Sequence, residues 1–418
     1  MGMRRMTLTD SHACEIAATR RWLSIVGIGE DGIEGLTPTA RSLVQAAEIV
    51  FGGHRHLALA AALIRGVARP WRSPFEGAIN DVVALRGRHV CVLASGDPFV
   101  YGVGSVLLRH IDPCETVTVP APSTFTLVAA RLGWSVPETM QLSLHGRSLD
   151  LIRPHLQPGA RVVVLTSDSA GPAALSRLLA GSGFGSSRMT VLEALGGPRE
   201  RVRATTAARF DLDEVGPLNA VAIEVEASPG ARVLARAPGL PDALFEHDGQ
   251  ITKREIRAIT LAALFPRRGE LLWDVGAGAG SVAIEWMLAD TSMRAIAIEA
   301  RSERAARIRG NAAAFGVPGL DLIEGAAPAA FEGLAQPDAV FIGGGAAIAL
   351  DAAVRALRPG GRLVVNAVTT ETEALLLHRR TTLGGELRRI AISRVEALGG
   401  RETWRPALPV TQWVWAKP

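Results

Sequence analysis

The chain has 418 residues and a formal net charge of +4 at pH 7; 48% of the residues are hydrophobic and 21% are charged. These values are ordinary for a globular protein, and the length predicts two or three domains. The distribution of apolar residues excludes a membrane-spanning protein, because no apolar stretch approaches the roughly 18–20 residues that a span needs. The N-terminus also lacks the apolar core of a secretory signal.

The cysteines indicate the cellular compartment of the protein, and the basic residues indicate which partners it can bind. Three cysteines without a C-x-x-C pair predict a cytoplasmic protein that has no metal site. All basic residues except Lys253 and Lys417 are arginine, which fits either GC-rich codon usage or an anionic ligand. Because the basic residues are scattered and Tyr101 is the only tyrosine, we expect no nucleic-acid partner.

Short runs rich in Val, Ile and Leu alternate with Ala- and Leu-rich amphipathic segments along most of the chain. Examples of the predicted strands, in chain order, are residues 21–29, 88–95, 160–167, 218–225, 270–277, 293–300, 337–344 and 361–368. Continuous apolar strands separated by helices are typical of α/β folds whose sheets are buried on both faces.

The sequence also indicates where the domains begin and end. Residues 1–20 precede the first predicted strand, and we expect them to form a disordered tail. Residues 227–250 are rich in Pro and Gly, which indicates a boundary near residue 240. We therefore predict a first domain over 21–228, a linker over 229–246 and a second domain over 247–418.

Glycine-rich or polar motifs interrupt the first half. They are GIGEDGIEGLT (27–37), SGDPFVYG (95–102), PAPSTF (120–125) and HGR (145–147). Gly96 permits a sharp turn, and Asp97 can either accept hydrogen bonds from a ligand or cap a helix. Ser123 and Thr124 can likewise cap a helix or contact a ligand.

The second half opens with a predicted helix whose first turns carry several cations. Thr252 is predicted as the N-cap of this helix. Lys253, Arg254 and Arg257 follow it, although cations oppose the helix dipole at an N-terminus. The pattern favours an anion-binding role over an ordinary solvated face.

The stretch WDVGAGAGSVAIEW (273–286) joins an apolar strand to a helix through three glycines. Glycines let the backbone approach a ligand closely, and the helix N-terminus favours an anionic or polar group. Asp274 is followed by Gly276, Gly278 and Gly280, so the last glycine falls one position early for the dinucleotide fingerprint G-x-G-x-x-G. A plain tight turn and an NAD site remain alternatives on this motif alone.

Three later features agree with a nucleoside site. Glu299 ends the next predicted strand about 20 residues after the last glycine, where a carboxylate can accept hydrogen bonds from both ribose hydroxyls. EGAAP (324–328) follows the third predicted strand and leaves a slot at Gly325 and Ala326. FIGGG (341–345) ends the fourth and offers an open approach for a bulky planar substrate.

The D-x-G-x-G-x-G motif, with Glu299 and EGAAP, resembles the class I S-adenosylmethionine methyltransferases. The resemblance implies a Rossmann-like second domain whose glycine turn holds the methionine carboxylate and the ribose edge of the methyl donor. The adenine would then lie against Gly325 and Ala326, and the transferable methyl would border FIGGG. Asp274, the three motif glycines and Glu299 are its implied binding residues.

The motifs of the first half are similar to those of the tetrapyrrole (class III) methyltransferases, which have two α/β subdomains with S-adenosylmethionine between them. The resemblance implies that Gly27 and Gly29 leave room for substrate and that Gly96, Asp97, Ser123 and Thr124 contact the cofactor. In the strand 218–225, Asn219 and Ala220 would close over the adenine. His145 and Arg147 are candidates for binding substrate carboxylates.

Joined in this order, the two halves resemble the decarboxylating precorrin methyltransferases of cobalamin biosynthesis. The resemblance implies methylation of a tetrapyrrole at C5 and C15 with loss of the C12 acetate carboxyl group, two S-adenosylmethionine sites per chain and a homo-oligomer. Lys253, Arg254 and Arg257 would hold substrate carboxylates, and no catalytic base is identified. An RNA or protein methyltransferase, or a non-catalytic tetrapyrrole- or S-adenosylmethionine-binding scaffold, remains an alternative.

Overall fold

The computed structural model describes residues 21–72 and 75–418, which form two compact units. The first unit runs to Arg147 and takes in Pro158–Ala231. The second unit consists of Ser148–Gln157 and Arg232–Pro418. The predicted tail, residues 1–20, lies outside the described residues.

The first sheet of the first unit is parallel throughout, in the order β3-β2-β4-β1-β5. Its strands are β1 (Leu23–Ile28), β2 (Ile49–Gly52), β3 (Val67–Pro70), β4 (Val90–Ser95) and β5 (Thr116–Val119). The associated helices are α1 (Pro38–Ala46), α2 (His54–Leu59), α3 (Phe75–Val83) and α4 (Val103–Leu107). Leu23 and Ile25 pack into one core cluster and Val26 and Ile28 into another, as expected for a sheet covered on both faces.

The second sheet of this unit is mixed, in the order β6-β7-β10-β8-β9. Its strands are β6 (Thr139–Ser143), β7 (Arg161–Leu165), β8 (Arg188–Glu193), β9 (Arg201–Thr206) and β10 (Asn219–Glu224), with helices α5 (Thr124–Leu132) and α6 (Gly171–Gly181). Only β6 and β7 pair in parallel. Two sheets within one unit confirm the predicted two-subdomain α/β fold.

The second unit contains a seven-stranded sheet in the order β13-β12-β11-β14-β15-β19-β16. Its strands are β11 (Leu271–Val275), β12 (Arg294–Glu299), β13 (Asp321–Glu324), β14 (Ala339–Ile342), β15 (Arg362–Ala367), β16 (Glu386–Ile390) and β19 (Val410–Ala416). The helices are α7 (Arg254–Leu264), α8 (Ser281–Leu288), α9 (Ser302–Ala314), α10 (Ala346–Ala356) and α11 (Thr370–Leu383).

The first five strands of this sheet are parallel, β19 pairs antiparallel with β15, and β16 pairs antiparallel with β19. The chain order reverses between β11 and β14, where α/β sheets bind ligands at the carboxyl ends of the strands. This confirms the predicted Rossmann-like fold. A separate hairpin, β17 (Ser393–Leu398) and β18 (Arg401–Pro406), is exposed along its whole length.

The segment predicted as a linker, 229–246, is packed rather than free. Leu234, Leu240 and Phe245 are buried in a cluster with Ile284 and Phe315 of the second unit. This corrects the predicted linker, because apolar side chains anchor its Pro- and Gly-rich backbone. Among the described residues, no helix combines the length and apolar character needed to cross a bilayer.

Candidate functional site

A cavity of about 710 Å³ opens in the second unit at the carboxyl ends of its parallel strands. Its wall includes Gly276 and Gly278 after β11, Glu299 at the end of β12, and the 343–345 glycine turn after β14. Volumes of a few hundred to a thousand Å³ are typical of small-molecule sites. The structure thus brings together residues that are far apart in the sequence.

The motif glycines are required by their backbone geometry. Gly276, Gly278 and Gly280 have φ angles of +68°, +62° and +73°, which L side chains rarely adopt. A Cβ on Gly276 would also lie 3.0 Å from the carbonyl oxygen of Gly344. Gly280 is different from the other two: it does not line the cavity, and a Cβ there would press against Ile308 of α9. Its predicted cofactor contact is therefore corrected to a packing role.

Asp274 lies beneath the glycine turn and not in the cavity wall. Its Oδ2 accepts a hydrogen bond from the N–H of Ala283 at 3.0 Å, in the first turn of α8. Its Oδ1 is buried without a hydrogen-bond partner. Burial, opposed by the Ala283 bond and reinforced by the nearby Glu299 charge, raises the pKa of Asp274 to about 7. The predicted direct contact with cofactor is corrected: Asp274 positions the turn and the helix start.

Glu299 is one of two acidic residues in the cavity wall, the other being Glu255. Its Oε2 accepts the Gly278 N–H at 2.9 Å, and its Oε1 accepts the Arg301 N–H at 3.0 Å. Each carboxylate oxygen keeps a further lone pair, so two more donors can be accepted. Gly325 and Ala326 line the same cavity, and the Gly325 N–H donates to the Glu299 carbonyl at 3.0 Å. This set fits the ribose and adenine of S-adenosylmethionine.

The three predicted substrate cations separate in the structure. Helix α7 begins at Arg254 with Lys253 at the N-cap and no side-chain cap, so the prediction of Thr252 as N-cap is wrong. Lys253 lines the cavity and has no ion-pair partner within the described parts of the chain. Arg254 is outside the wall, with its side chain 3.6 Å from the Cβ position of Gly239. Only Lys253 meets the expectation of a cation facing the cavity.

Arg257 is fully buried, which corrects its predicted contact with substrate. Its guanidinium donates to Glu285 at 2.6 Å, to Asp242 at 3.1 Å and to the carbonyls of Thr252 and Leu240. Glu285 in turn accepts the N–H of Leu240 at 2.9 Å. The arginine therefore ties α7 and α8 to the 239–242 segment and offers no group to a ligand.

The structure adds cavity residues that sequence reasoning missed. Arg304 lines the wall and pairs with Asp248 at 2.8 Å, and Arg394, in the first strand of the exposed hairpin, also lines the wall and pairs with Glu255. Asn366, near the end of β15, also faces the cavity. None of these belongs to a motif, and only the sheet order brings them to the glycine turns.

In the first unit, the carboxyl ends of β1 and β4 meet in close backbone contact. The Gly96 N–H donates to the Ile28 carbonyl at 3.1 Å, and the Gly96 carbonyl accepts the Ala121 N–H at 3.2 Å. A Cβ on Gly27 would lie only 1.9 Å from the Gly96 carbonyl oxygen. The prediction that Gly27 makes room for substrate is corrected, because its missing side chain makes room for neighbouring backbone. A Cβ on Gly29 would meet only the Asp31 side chain.

The polar residues of the next motifs support local turns. Asp97 Oδ1 accepts the Phe99 N–H at 2.8 Å, and Ser123 Oγ accepts the Thr126 N–H at 3.1 Å as the N-cap of α5. Thr124 is the first residue of that helix. The Ser123 bond realises the capping alternative, whereas Asp97 closes a local turn and caps no helix, because α4 begins only at Val103. Cofactor contact by these residues stays a prediction.

The remaining residues predicted for the first unit fall into a buried pair and an exposed pair. Asn219 is buried, and its side-chain amide donates to the carbonyls of Asp168 and Gly216, while Ala220 is buried in the core. Neither side chain is exposed, and an adenine contact by these residues stays a prediction. His145 and Arg147 are exposed, so binding of carboxylates by them stays a prediction.

A further polar cluster lies at the same sheet edge of the first unit. His56 Nε2, Arg55 and Ser95 Oγ lie within 2.8 Å of one another, and Arg55 also pairs with Glu30. Burial and the Arg55 charge lower the pKa of His56 to about 4, so its imidazole is neutral at pH 7. The sequence analysis missed this cluster, because its members follow three different strands.

Comparison with known proteins assigns a family to each half. Residues 23–211 match the model of the tetrapyrrole (corrin/porphyrin) methylases, and residues 243–417 match that of a precorrin methyltransferase domain. Within the described parts of the chain, no group of three or more His, Cys, Asp or Glu side chains is arranged to hold a metal ion.

Curated relatives match the chain as a whole and in part. A Sinorhizobium protein named precorrin-6Y C(5,15)-methyltransferase [decarboxylating] is 58% identical over 98% of this chain and 100% of its own length. A Mycobacterium tuberculosis protein of the same name is 42% identical over 93% of this chain and 98% of its length. A Salmonella typhimurium protein named cobalt-precorrin-7 C(5)-methyltransferase is 29% identical over 48% of this chain and 98% of its length.

Proposed function

The chain belongs to the precorrin-6Y C5,15-methyltransferase (decarboxylating) family, and we propose that its two units divide this chemistry, each with its own S-adenosylmethionine. The reaction is methylation of a precorrin at C5 and C15 with decarboxylation of the C12 acetate, in cobalamin biosynthesis. The predicted activity, family and use of S-adenosylmethionine are thereby confirmed. The division between units and the two cofactor sites are proposals.

We assign C5 methylation to the first unit and C15 methylation with decarboxylation to the second. The Salmonella C5-methyltransferase is matched along nearly its whole length by half of this chain, so C5 methylation needs only one unit. The first unit carries the tetrapyrrole methylase match, and the second unit carries the precorrin methyltransferase match.

The second-unit cavity fits S-adenosylmethionine by its shape and its chemistry. The positive-φ glycine turn lines the cavity with main chain and no side chain, and Glu299 keeps free lone pairs beside the slot at Gly325 and Ala326. When bound, the cofactor supplies an electrophilic methyl group. The Lys253 ammonium, which has no ion-pair partner among the described residues, and the guanidinium of Arg394 are wall groups suited to a substrate fringed with carboxylates.

The contribution of the chain to catalysis is then binding, alignment and exclusion of water. Holding a nucleophilic meso carbon in line with the methyl group can supply roughly 7–11 kcal/mol of the barrier. The enamine-like electron pair of the tetrapyrrole would form the new C–C bond as the methyl–sulfur bond breaks and S-adenosylhomocysteine leaves. In the decarboxylation, the C–CO₂ electron pair would pass into the conjugated pyrrole imine as CO₂ leaves, and the former acetate carbon would then take up a proton to become a methyl group.

This proposal depends on one observation: the wall of a single cavity contains nucleoside-binding groups, an open glycine turn and Lys253, which has no ion-pair partner among the described residues. Mass spectrometry of the precorrin substrate incubated with S-adenosylmethionine and the full chain tests it. We expect a gain of two methyl groups and a loss of CO₂. A product with methyl gain only, from an enzyme with intact second-unit binding, would contradict the assignment of decarboxylation.

Two S-adenosylmethionine sites per chain follow from the proposed division of the reactions. Titration calorimetry should resolve two sites in the full chain, and Glu299→Ala should weaken only one of them. A single site in the wild-type chain would contradict the two-site proposal without affecting the family assignment.

We further propose that the chain acts in the cytoplasm as a homo-oligomer without a nucleic-acid partner. Val395, Leu398 and Trp404 of the exposed hairpin support self-association, and Trp404 is 70% exposed. Light scattering should give a multiple of the chain mass. Leu398→Ser with Trp404→Ser should reduce it, whereas Val202→Ser, an exposed valine of the first unit, should not. The ratio of absorbance at 260 and 280 nm should show no bound nucleic acid.

A further inference from the structure

Three polar side chains form a network between α7, β15 and β19, behind the cavity wall. Asn366 Nδ2 donates to Thr260 Oγ1 at 3.0 Å, and Gln412 Nε2 donates to Asn366 Oδ1 at 2.9 Å. Gln412 Nε2 also reaches Thr260 Oγ1 at 3.2 Å. Thr260 and Gln412 are fully buried, and Gln412 Oε1 has no hydrogen-bond partner.

Burial of this network costs folding free energy, which suggests that the network has a functional role. Burying amides and hydroxyls in a core that could be apolar costs free energy, and the unpartnered oxygen of Gln412 adds to that cost. What the network gains is orientation. Gln412 lies directly across the strand pair from Asn366, so the two bonds fix the plane of the Asn366 amide.

Asn366 is the member of the network that reaches the cavity wall. One Nδ2 hydrogen is used by Thr260 and one Oδ1 lone pair by Gln412, which leaves one donor and one acceptor for a ligand. Ile342 pairs with Val365, so Asn366 lies beside the first glycine of the 343–345 turn. The oriented amide therefore lies where the methyl-accepting molecule must approach.

The position of Asn366 in the sheet separates it from the cofactor-binding groups. Glu299 ends β12, and the strand order β12-β11-β14-β15 places β15 three steps away. At about 4.8 Å per step the two strands are roughly 14 Å apart. An amide at that distance from the ribose-binding carboxylate contacts the substrate and not the nucleoside.

We propose that Asn366 donates its free amide N–H to a peripheral carboxylate of the tetrapyrrole in the second active site, and that Thr260 and Gln412 are positioning residues that aim it. This inference rests on the proposed function of the second unit. A carboxylate is the ligand of choice because the same wall carries Lys253 and Arg394. The neutral amide adds a directed hydrogen bond to these charged contacts.

The test is the binding of the precorrin substrate to the full chain, measured by its absorbance change and without turnover. Asn366→Asp keeps the shape of the side chain but places a charge against the carboxylate. We expect it to weaken binding by about tenfold or more, as for a lost hydrogen bond to a charged group. Asn366→Ala should weaken binding less, and Gln412→Leu should raise the KM for C15 methylation without weakening S-adenosylmethionine binding.

The outcomes separate this inference from the proposed function. Thermal unfolding checks that each variant is folded, and C5 methylation by the same chain is the internal control. Unchanged or tighter substrate binding by Asn366→Asp would overturn the inference, because it would mean that the amide accepts a bond or makes none. Failure of the wild-type chain to methylate C15 would instead contradict the proposed function, and the binding measurement would still decide the role of Asn366.

Discussion

Arg257 and Glu285 form an ion pair in the core of the second unit, with Nε and Oε1 2.6 Å apart and both side chains buried. Glu285 also accepts the N–H groups of Gly239 and Leu240, at 2.6 and 2.9 Å. The pair therefore fastens the chain segment that enters the second unit. Removing one partner of a buried pair leaves an uncompensated charge, so its cost falls on stability.

We predict that Arg257→Gln lowers the free energy of unfolding of the second unit by about 3–5 kcal/mol. Arg254→Gln, which changes an exposed cation on the same helix, should stay within about 0.5 kcal/mol of wild type. Denaturant unfolding followed by tryptophan fluorescence measures both. Equal stability of the two variants would show that the buried pair is not a structural element.

Lys253→Gln should have the opposite signature. Because the Lys253 side chain lines the cavity and has no ion-pair partner in residues 21–72 and 75–418, its loss should raise the KM for the precorrin in C15 methylation and leave the melting temperature unchanged. We expect about a tenfold change, the worth of one hydrogen bond to a charged group. Steady-state assays with Arg254→Gln as the matched control measure it. A loss of S-adenosylmethionine affinity would instead move Lys253 to the cofactor site.

The sequence predicted the strands, the sheet classes and the glycine turns because these depend on local patterns. Apolar runs and positive-φ glycines specify a turn wherever the rest of the chain lies. The role of Arg257 was mispredicted because the helix dipole is a local property, whereas Glu285 lies on another helix and decides the matter. A cation near a helix start is equally consistent with a ligand and with a distant buried carboxylate.

Asn366 and the Arg55–His56–Ser95 cluster were missed for a related reason. Asn366, Arg55 and His56 belong to no motif, and Ser95 was noted only as the first residue of SGDPFVYG. The contacts that reveal them join distant residues: Ser95 is 39 positions from His56, and Asn366 is 106 positions from Thr260. Only the order of the strands shows which loops share a sheet edge. Gly27 illustrates the converse: the glycine was recognised, but its neighbour is the Gly96 backbone and not a ligand.

Gly27→Ala should disrupt the first unit, whereas Gly29→Ala should be tolerated better. The new methyl group at position 27 would lie 1.9 Å from a backbone oxygen, while that at 29 would meet the movable side chain of Asp31 at 2.6 Å. We expect a loss of at least about 1–3 kcal/mol for Gly27→Ala, as for overpacked cores. Thermal unfolding measures the loss of stability. In activity assays, the Gly27→Ala chain should lose C5 methylation and retain C15 methylation. A Gly27→Ala chain as stable as the Gly29→Ala chain would contradict the prediction.

Glu299→Ala should weaken S-adenosylmethionine binding at the second site by roughly 1.5–3 kcal/mol for each ribose hydrogen bond lost. Glu324→Ala is the matched control, because Glu324 pairs with Glu299 at the end of the adjacent strand but is exposed and outside the cavity wall. Calorimetry of both variants tests the prediction. The calorimetry is then repeated with a deoxyribose analogue of S-adenosylmethionine. If Glu299 binds the ribose hydroxyl, the Glu299→Ala variant should bind the analogue and the normal cofactor equally well. If the substitution only loosens the glycine turn, the variant should still bind the analogue more weakly.

The stability of the second unit should depend on pH through Asp274. Burial raises the pKa of Asp274 to about 7, whereas the unfolded chain has the ordinary value near 3.8. Between these values the folded protein holds a proton that the unfolded chain has released. The free energy of unfolding therefore falls as pH rises through this window, and the loss is complete above pH 7.

Asp274→Asn removes this titration while keeping an acceptor for the Ala283 N–H. The stability of the variant relative to wild type should therefore increase by roughly 2–4 kcal/mol between pH 4 and pH 7 and then stay level. Urea unfolding at a series of pH values measures the difference. Asp290→Asn is the control: hydrogen bonds from Ser292 lower the pKa of that exposed carboxyl, so its difference should be flat in the same window and change only at lower pH. A flat profile for Asp274→Asn would mean that the carboxyl is ionised in the folded protein, stabilised by donors that the glycine turn must then provide.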